Sequence, residues 1–312
     1  MTAASLPFLN AEDLAGAVSW QQAIQALTRA ISLSSDLSSG VPRTAVPTGH
    51  GELLLMPAES GNAVGVKLLS VAPDNPAAGL PRIQALYVLF DAVTLTPRLL
   101  IDGAALTTLR TPALSALAVD RLAVPEATKL TVFGAGPQAQ AHVHAIRAVR
   151  PIEAVTVVSR RSEPAERLVR ELQEHGVQAR TGTPDGAVAS TDLVVCATTA
   201  RRPLFDGDRL AGHACVIAVG SHEPDARELD ERVFQRAGRI AVEDAGTALR
   251  EAGDIILAVK AGSLTAERLI GLSELVSLVP DKGISVFKSV GMGWQDLAVA
   301  EAAAAAWRPG NS

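Results

Sequence analysis

Aromatic residues are scarce in this chain, 3% of 312 residues, so any core must be aliphatic, drawn from a hydrophobic fraction of 48%. Cysteine is nearly absent. Cys196 and Cys215 are too few for a disulfide framework and too far apart in sequence for a zinc motif, and no metal site is expected. Positive charge is not in excess. Lys and Arg number 28 against 33 Asp and Glu, a net charge of -5, which argues against a broad face for nucleic acid. No run of about 18 apolar residues is free of charge, so no membrane span is expected. The opening MTAASLPFLNAEDLAG lacks a basic stretch followed by an apolar run. No secretory signal is therefore read, and a cytoplasmic location is expected.

What is present points to an α/β chain of about two domains, at roughly 150 residues each. Ser19 and Gln22 have the spacing of a capping box, and Ala23, Ile24, Leu27, Ile31 and Leu33 recur at near-helical spacing behind them. Gly40, Pro42 and Pro47 close that region. Extended runs are then expected at 53–57, 64–71, 85–90 and 98–101, and antiparallel pairing suits them because no long helix separates them. A helix is read over 103–122.

After residue 124 the pattern changes. Apolar strands at 130–133, 155–158, 193–197, 216–219 and 240–242 alternate with helical stretches, and 284–287 adds a candidate strand. Near-continuous apolar strands of this kind belong to a Rossmann-type doubly wound parallel sheet, buried on both faces. The expected division is therefore an α+β domain over 1–124 and a dinucleotide-binding domain over 125–289. A C-terminal helix within 290–312 is expected to pack back on the first.

The strand at 130–133 runs directly into Gly134-Ala-Gly136-Pro137-Gln138-Ala139 and then a helix. This is G-x-G-x-x-A in its required setting. Gly134 permits a tight turn, Gly136 lets a pyrophosphate approach the backbone, and Ala139 lets helix and strand pack closely. The next strand ends in Ser159-Arg160-Arg161 with no carboxylate to take a ribose 2′-hydroxyl. Arginine suits a 2′-phosphate, so NADP(H) is favoured and NAD(H) remains possible.

Three cations stand out in the first domain. Lys67 lies inside an apolar strand, where it either faces solvent or has been placed for a purpose. Arg43 follows Pro42, and Arg110 precedes Thr111 and Pro112 in a helix. Together with Leu55-Met-Pro57, Gly65-Val-Lys67, Gly79-Leu-Pro81, Leu89-Phe-Asp91, Ile101-Asp-Gly103, the glycine loop, Arg227-Glu-Leu-Asp230 and Phe287-Lys-Ser-Val-Gly291, these segments resemble the ornithine cyclodeaminase/mu-crystallin family over most of the chain.

The resemblance implies an NAD(P)-dependent oxidoreductase that transfers hydride at the Cα of an amino acid or its cyclic imine. It also implies a substrate domain that forms a homodimer. Arg43, Lys67 and Arg110 would bind the substrate carboxylate, with Lys67 or His222 handling a proton. Thr111, Thr198, Thr199, Val219, Gly220 and Lys288 would line the cofactor.

Two departures mark this chain. His222 stands where the cyclodeaminases place an acid/base aspartate. Leu54 stands where they place a glutamate for the distal amino group of ornithine, although Glu52 shares that strand face if the register holds. A true cyclodeaminase, converting L-ornithine to L-proline and ammonia, and a non-catalytic crystallin-like binder of NADPH are the alternatives.

Overall fold

The computed structural model describes residues 6–33 and 42–308. The chain divides into two compact units, one of residues 1–111 and 291–312, the other of residues 112–290. The first division falls inside a helix, at Pro112, and not after residue 124 where the sequence pattern changes. Proline lacks the N–H that would continue the helical ladder there.

The first unit opens with β1 (Phe8–Leu9), α1 (Ala11–Ala17) and α2 (Trp20–Leu33). Asn10 and Asp13 form a reciprocal capping box on α1, and Ser19 with Gln22 does the same ahead of α2. Then come β2 (Thr44–Thr48), β3 (Gly51–Glu59), β4 (Ala63–Val71), β5 (Ile83–Asp91) and β6 (Pro97–Asp102), which leads into α3 (Gly103–Leu122). The strands form one sheet in the order β1-β6-β5-β4-β3-β2. Neighbours from β2 to β6 are antiparallel as expected, whereas β1 joins β6 in parallel. Pro47 lies within β2, and an edge strand tolerates its missing donor. Gly40 lies outside the described residues.

The last element of the chain, α11 (Gly293–Ala306), packs on α2, β3 and β4 within this unit. It lies over the sheet face that carries Met56, Lys67 and Tyr87, which are opposed in register across three strands.

The second unit contains β7 (Lys129–Phe133), α4 (Pro137–Arg147), β8 (Ala154–Val158), α5 (Ser162–Glu174), β9 (Gln178–Thr181), α6 (Pro184–Val188), β10 (Leu193–Cys196) and β11 (Cys215–Ala218). It continues with α7 (Glu231–Arg236), β12 (Arg239–Val242), α8 (Ala245–Glu251), α9 (Gly253–Lys260), β13 (Leu269–Ile270), α10 (Leu272–Leu275) and β14 (Ser285–Lys288). All neighbours in its sheet are parallel, in the order β13-β12-β14-β11-β10-β7-β8-β9. Chain order reverses between β7 and β10, the switch point at which dinucleotide folds bind their ligand. β10, β11 and β14 are buried along their whole length, as helices on both faces require. No helix among the described residues is long and apolar enough to cross a membrane.

Candidate active site and cofactor loop

The glycine loop joins β7 to α4. Gly134 sits at φ +108, and a Cβ there would lie 2.5 Å from the Ala197 carbonyl oxygen, so only glycine fits. Ala139 is fully buried beneath it. A Cβ on Gly136 would meet nothing within 4 Å. The packing of the protein itself does not require glycine at that position. Gly136 provides no side-chain cap and Pro137 opens the helix, so no side chain of the N-cap residue takes up the first-turn donors of α4. These residues fit a dinucleotide pyrophosphate.

At the end of β8, Ser159 is half-buried and Arg160 and Arg161 are exposed, with no side-chain partner for either arginine among the described residues. Beyond β10 and β11 lie Thr198, Thr199, Val219, Gly220 and the half-buried His222. Lys288, expected among the cofactor-lining residues, is buried at the end of β14. It is 1% exposed, and its ammonium sits 2.9 Å from Asp254 and donates to the Ser221 carbonyl oxygen at 2.5 Å. That commits its charge to the interior of the unit.

In the first unit the three predicted cations converge on one short segment. Arg43 donates to the Gly291 carbonyl oxygen at 2.8 Å. Lys67 donates to Asp296 Oδ2 at 2.8 Å and to Thr107 Oγ1 at 3.3 Å. Arg110 donates through Nε to Asp296 Oδ1 at 3.2 Å and through one terminal nitrogen to Gln295 Oε1 at 2.6 Å. Lys67 is 1% exposed and Asp296 is fully buried.

Lys67 and Arg110 thus share the Asp296 carboxylate, and Arg43 is anchored on the Gly291 carbonyl oxygen of the same short segment. Burial lowers the Lys67 pKa from 10.5 to about 8. Asp296 opposes the drop, while Arg110 and Arg43 add to it.

Two glycines make room for this cluster. Gly291, at φ +82, lies against the Arg110 guanidinium, and a Cβ there would stand 2.8 Å from its nearest nitrogen. A Cβ on Gly65 would stand 2.0 Å from the Tyr87 hydroxyl, which is buried and has no hydrogen-bond partner among the described residues. Leu54, Met56, Leu69 and Val71 form an apolar floor on the same sheet face as Lys67. Glu52, opposite Val71, is half-buried at its margin.

Asp296 and Gln295 were not singled out from the sequence. The available signal was an acid in the first turn of an alanine-rich helix, in a chain that already showed three unexplained cations.

A model of the ornithine cyclodeaminase/mu-crystallin family matches residues 7–310. The chain is 34% identical to a Delta(1)-pyrroline-2-carboxylate reductase of Bacillus cereus (strain ZK / E33L), over 83% of each protein. Among solved structures, that of the Thermococcus litoralis Delta(1)-pyrroline-2-carboxylate reductase, in complex with NADH and L-proline, is similar with a TM-score of 0.90 at 30% identity over 96% of both chains. An archaeal alanine dehydrogenase dimer with bound NAD is similar with a TM-score of 0.88 at 27% identity, over 96% of this chain and 94% of that one.

Proposed function

The chain belongs to the ornithine cyclodeaminase/mu-crystallin family, and from that premise we propose that it is an NAD(P)-dependent reductase of a small cyclic imino acid, with Δ1-pyrroline-2-carboxylate as the best-supported substrate. The observation that carries this reading is the convergence of Arg43, Lys67 and Arg110 on the short segment from Gly291 to Asp296. Such a cluster suits a carboxylate, which cations hold by charge-assisted hydrogen bonds.

A bound nicotinamide supplies the hydride. The protein's part is to fix the acid end, so that the Cα of the imine is held in one orientation, and to protonate the imine nitrogen. Lys67, with a pKa near 8, holds a transferable proton at neutral pH. His222 is the second candidate, since an imidazole also exchanges protons in this range.

Leu54 and its apolar neighbours favour a substrate without a distal ammonium. Glu52, on the same face, keeps ornithine cyclodeamination as the second reading. Arg160 and Arg161 favour NADPH over NADH. The outward face of the six-stranded sheet presents Leu53, Leu68 and Leu86 to solvent, and an apolar sheet face of this kind favours a homodimer closed across it.

A substrate panel run with both cofactors tests the reading. NADPH oxidation is expected with Δ1-pyrroline-2-carboxylate and Δ1-piperideine-2-carboxylate, and little with the same rings lacking the carboxylate. Robust ammonia release from L-ornithine would favour the cyclodeaminase. No turnover across the panel would leave a non-catalytic binder. In the same assay, Arg160→Ala should weaken NADPH by about tenfold and spare NADH. An equal response from both cofactors would remove the arginines from that role.

A further inference from the structure

A second buried charge cluster, entirely within the parallel-sheet unit, pins the carboxyl ends of neighbouring strands. Glu228 is fully buried. Its Oε1 accepts from the Thr198 backbone N–H at 2.9 Å and the Thr198 hydroxyl at 2.7 Å, and its Oε2 accepts from the Gly220 N–H at 2.8 Å. Three donors converging on two oxygens suit an ionised carboxyl, which offers acceptors alone.

Behind it, Asp254 Oδ1 accepts from the N–H groups of Glu228 at 2.7 Å and Leu229 at 2.9 Å. Asp254 Oδ2 pairs with the Lys288 ammonium at 2.9 Å, and that ammonium also donates to the Ser221 carbonyl oxygen. The cluster therefore holds the residues following β10 and β11 to the end of β14. Gly220 completes it, since a Cβ there would lie 2.1 Å from the Thr198 carbonyl oxygen and 2.5 Å from Glu228 Oε1.

An apolar group of the same volume would stabilise this interior at lower desolvation cost. Two carboxylates in its place call for a reason beyond packing, and their position supplies one. Thr198 follows β10, the strand beside β7 across the switch point, and the preceding carbonyl, that of Ala197, abuts Gly134 of the glycine loop.

We propose that Glu228, backed by Asp254 and Lys288, is a positioning residue that shapes Thr198 and Gly220 into the seat for the nicotinamide half of the cofactor. The adenosine half rests on the glycine loop and the end of β8. This rests on the nicotinamide-dependent reading above.

Glu228→Gln tests it. A glutamine oxygen can still accept from Thr198, but its amide then turns an N–H toward the N–H of Gly220. Calorimetric titration of the whole enzyme should show NADPH affinity falling by about tenfold, the effect of losing a charge-assisted hydrogen bond. The affinity of adenosine 2′,5′-bisphosphate, which lacks the nicotinamide, should stay unchanged. An equal loss for both ligands, or a loss for neither, overturns the proposal.

Hydrogen exchange on the wild-type enzyme keeps the test independent of whether the variant folds. The Gly220 amide should exchange slowly, and exchange at the rate of an exposed loop overturns the proposal. If the wild type binds neither ligand, the nicotinamide reading itself falls and takes this role with it.

Discussion

Lys67 and Asp296 show how far single residues can be read. A lysine inside an apolar strand is ambiguous on paper, because strand alternation does not say which face is covered. The structure resolves it. Lys67 lies on the covered face, and its partner arrives from 229 positions away in the chain. No local pattern links the two, so the cations were legible and the carboxylate that arranges them was not.

Their coupling has a pH consequence. Lys67 is charged below its pKa of about 8 and neutral above it, so it grips a carboxylate only on the acid side. The value of kcat/KM for the imino acid, which reports the free enzyme, should therefore fall as pH rises through about 8. Asp296 raises the Lys67 pKa, so Asp296→Asn should move that limb to lower pH. A pH profile with no limb near 8, or one that Asp296→Asn leaves in place, would separate Lys67 from substrate binding.

At the scale of elements, segments with strong periodicity or full burial were legible and marginal ones were not. β10 and β11 read as strands because every residue is apolar and buried. β9 did not, because Ala179 is its one buried residue. β2 is exposed along its length, so nothing in its composition reports a sheet. The two-residue strands β1 and β13 are too short for any pattern.

The turn into α11 is the element on which the site depends, since Gly291, Gln295 and Asp296 each hold one or more of the three cations. Gly291→Ala should strain the backbone at φ +82 by about 1 kcal/mol and push the Arg110 guanidinium off its place. The expected result is a KM for the imino acid raised by about tenfold, with NADPH affinity unchanged. A normal KM would show that Arg110 does not need this support.

For the whole molecule, the sheet of the first unit has one face under α11 and the other open. Alternation along β4 puts Lys67 and Leu69 on the covered side and Leu68 on the open side, opposed in register to Leu86. Leu68 is 40% exposed and Leu86 36%. Replacing both with glutamate should convert a homodimer to monomer in analytical ultracentrifugation without unfolding it, because neither leucine is buried in the isolated chain. A wild type that sediments as a monomer would remove the dimer from the account.

The reading as a reductase comes down to a carboxylate held by cations while hydride reaches its Cα. The most direct test is steady-state NADPH oxidation with Δ1-pyrroline-2-carboxylate by the wild type and by Lys67→Ala. The variant is expected to lose turnover by about a hundredfold or more while its NADPH affinity stays near that of the wild type. A Lys67→Ala enzyme that reduces the imino acid at the wild-type rate would contradict it.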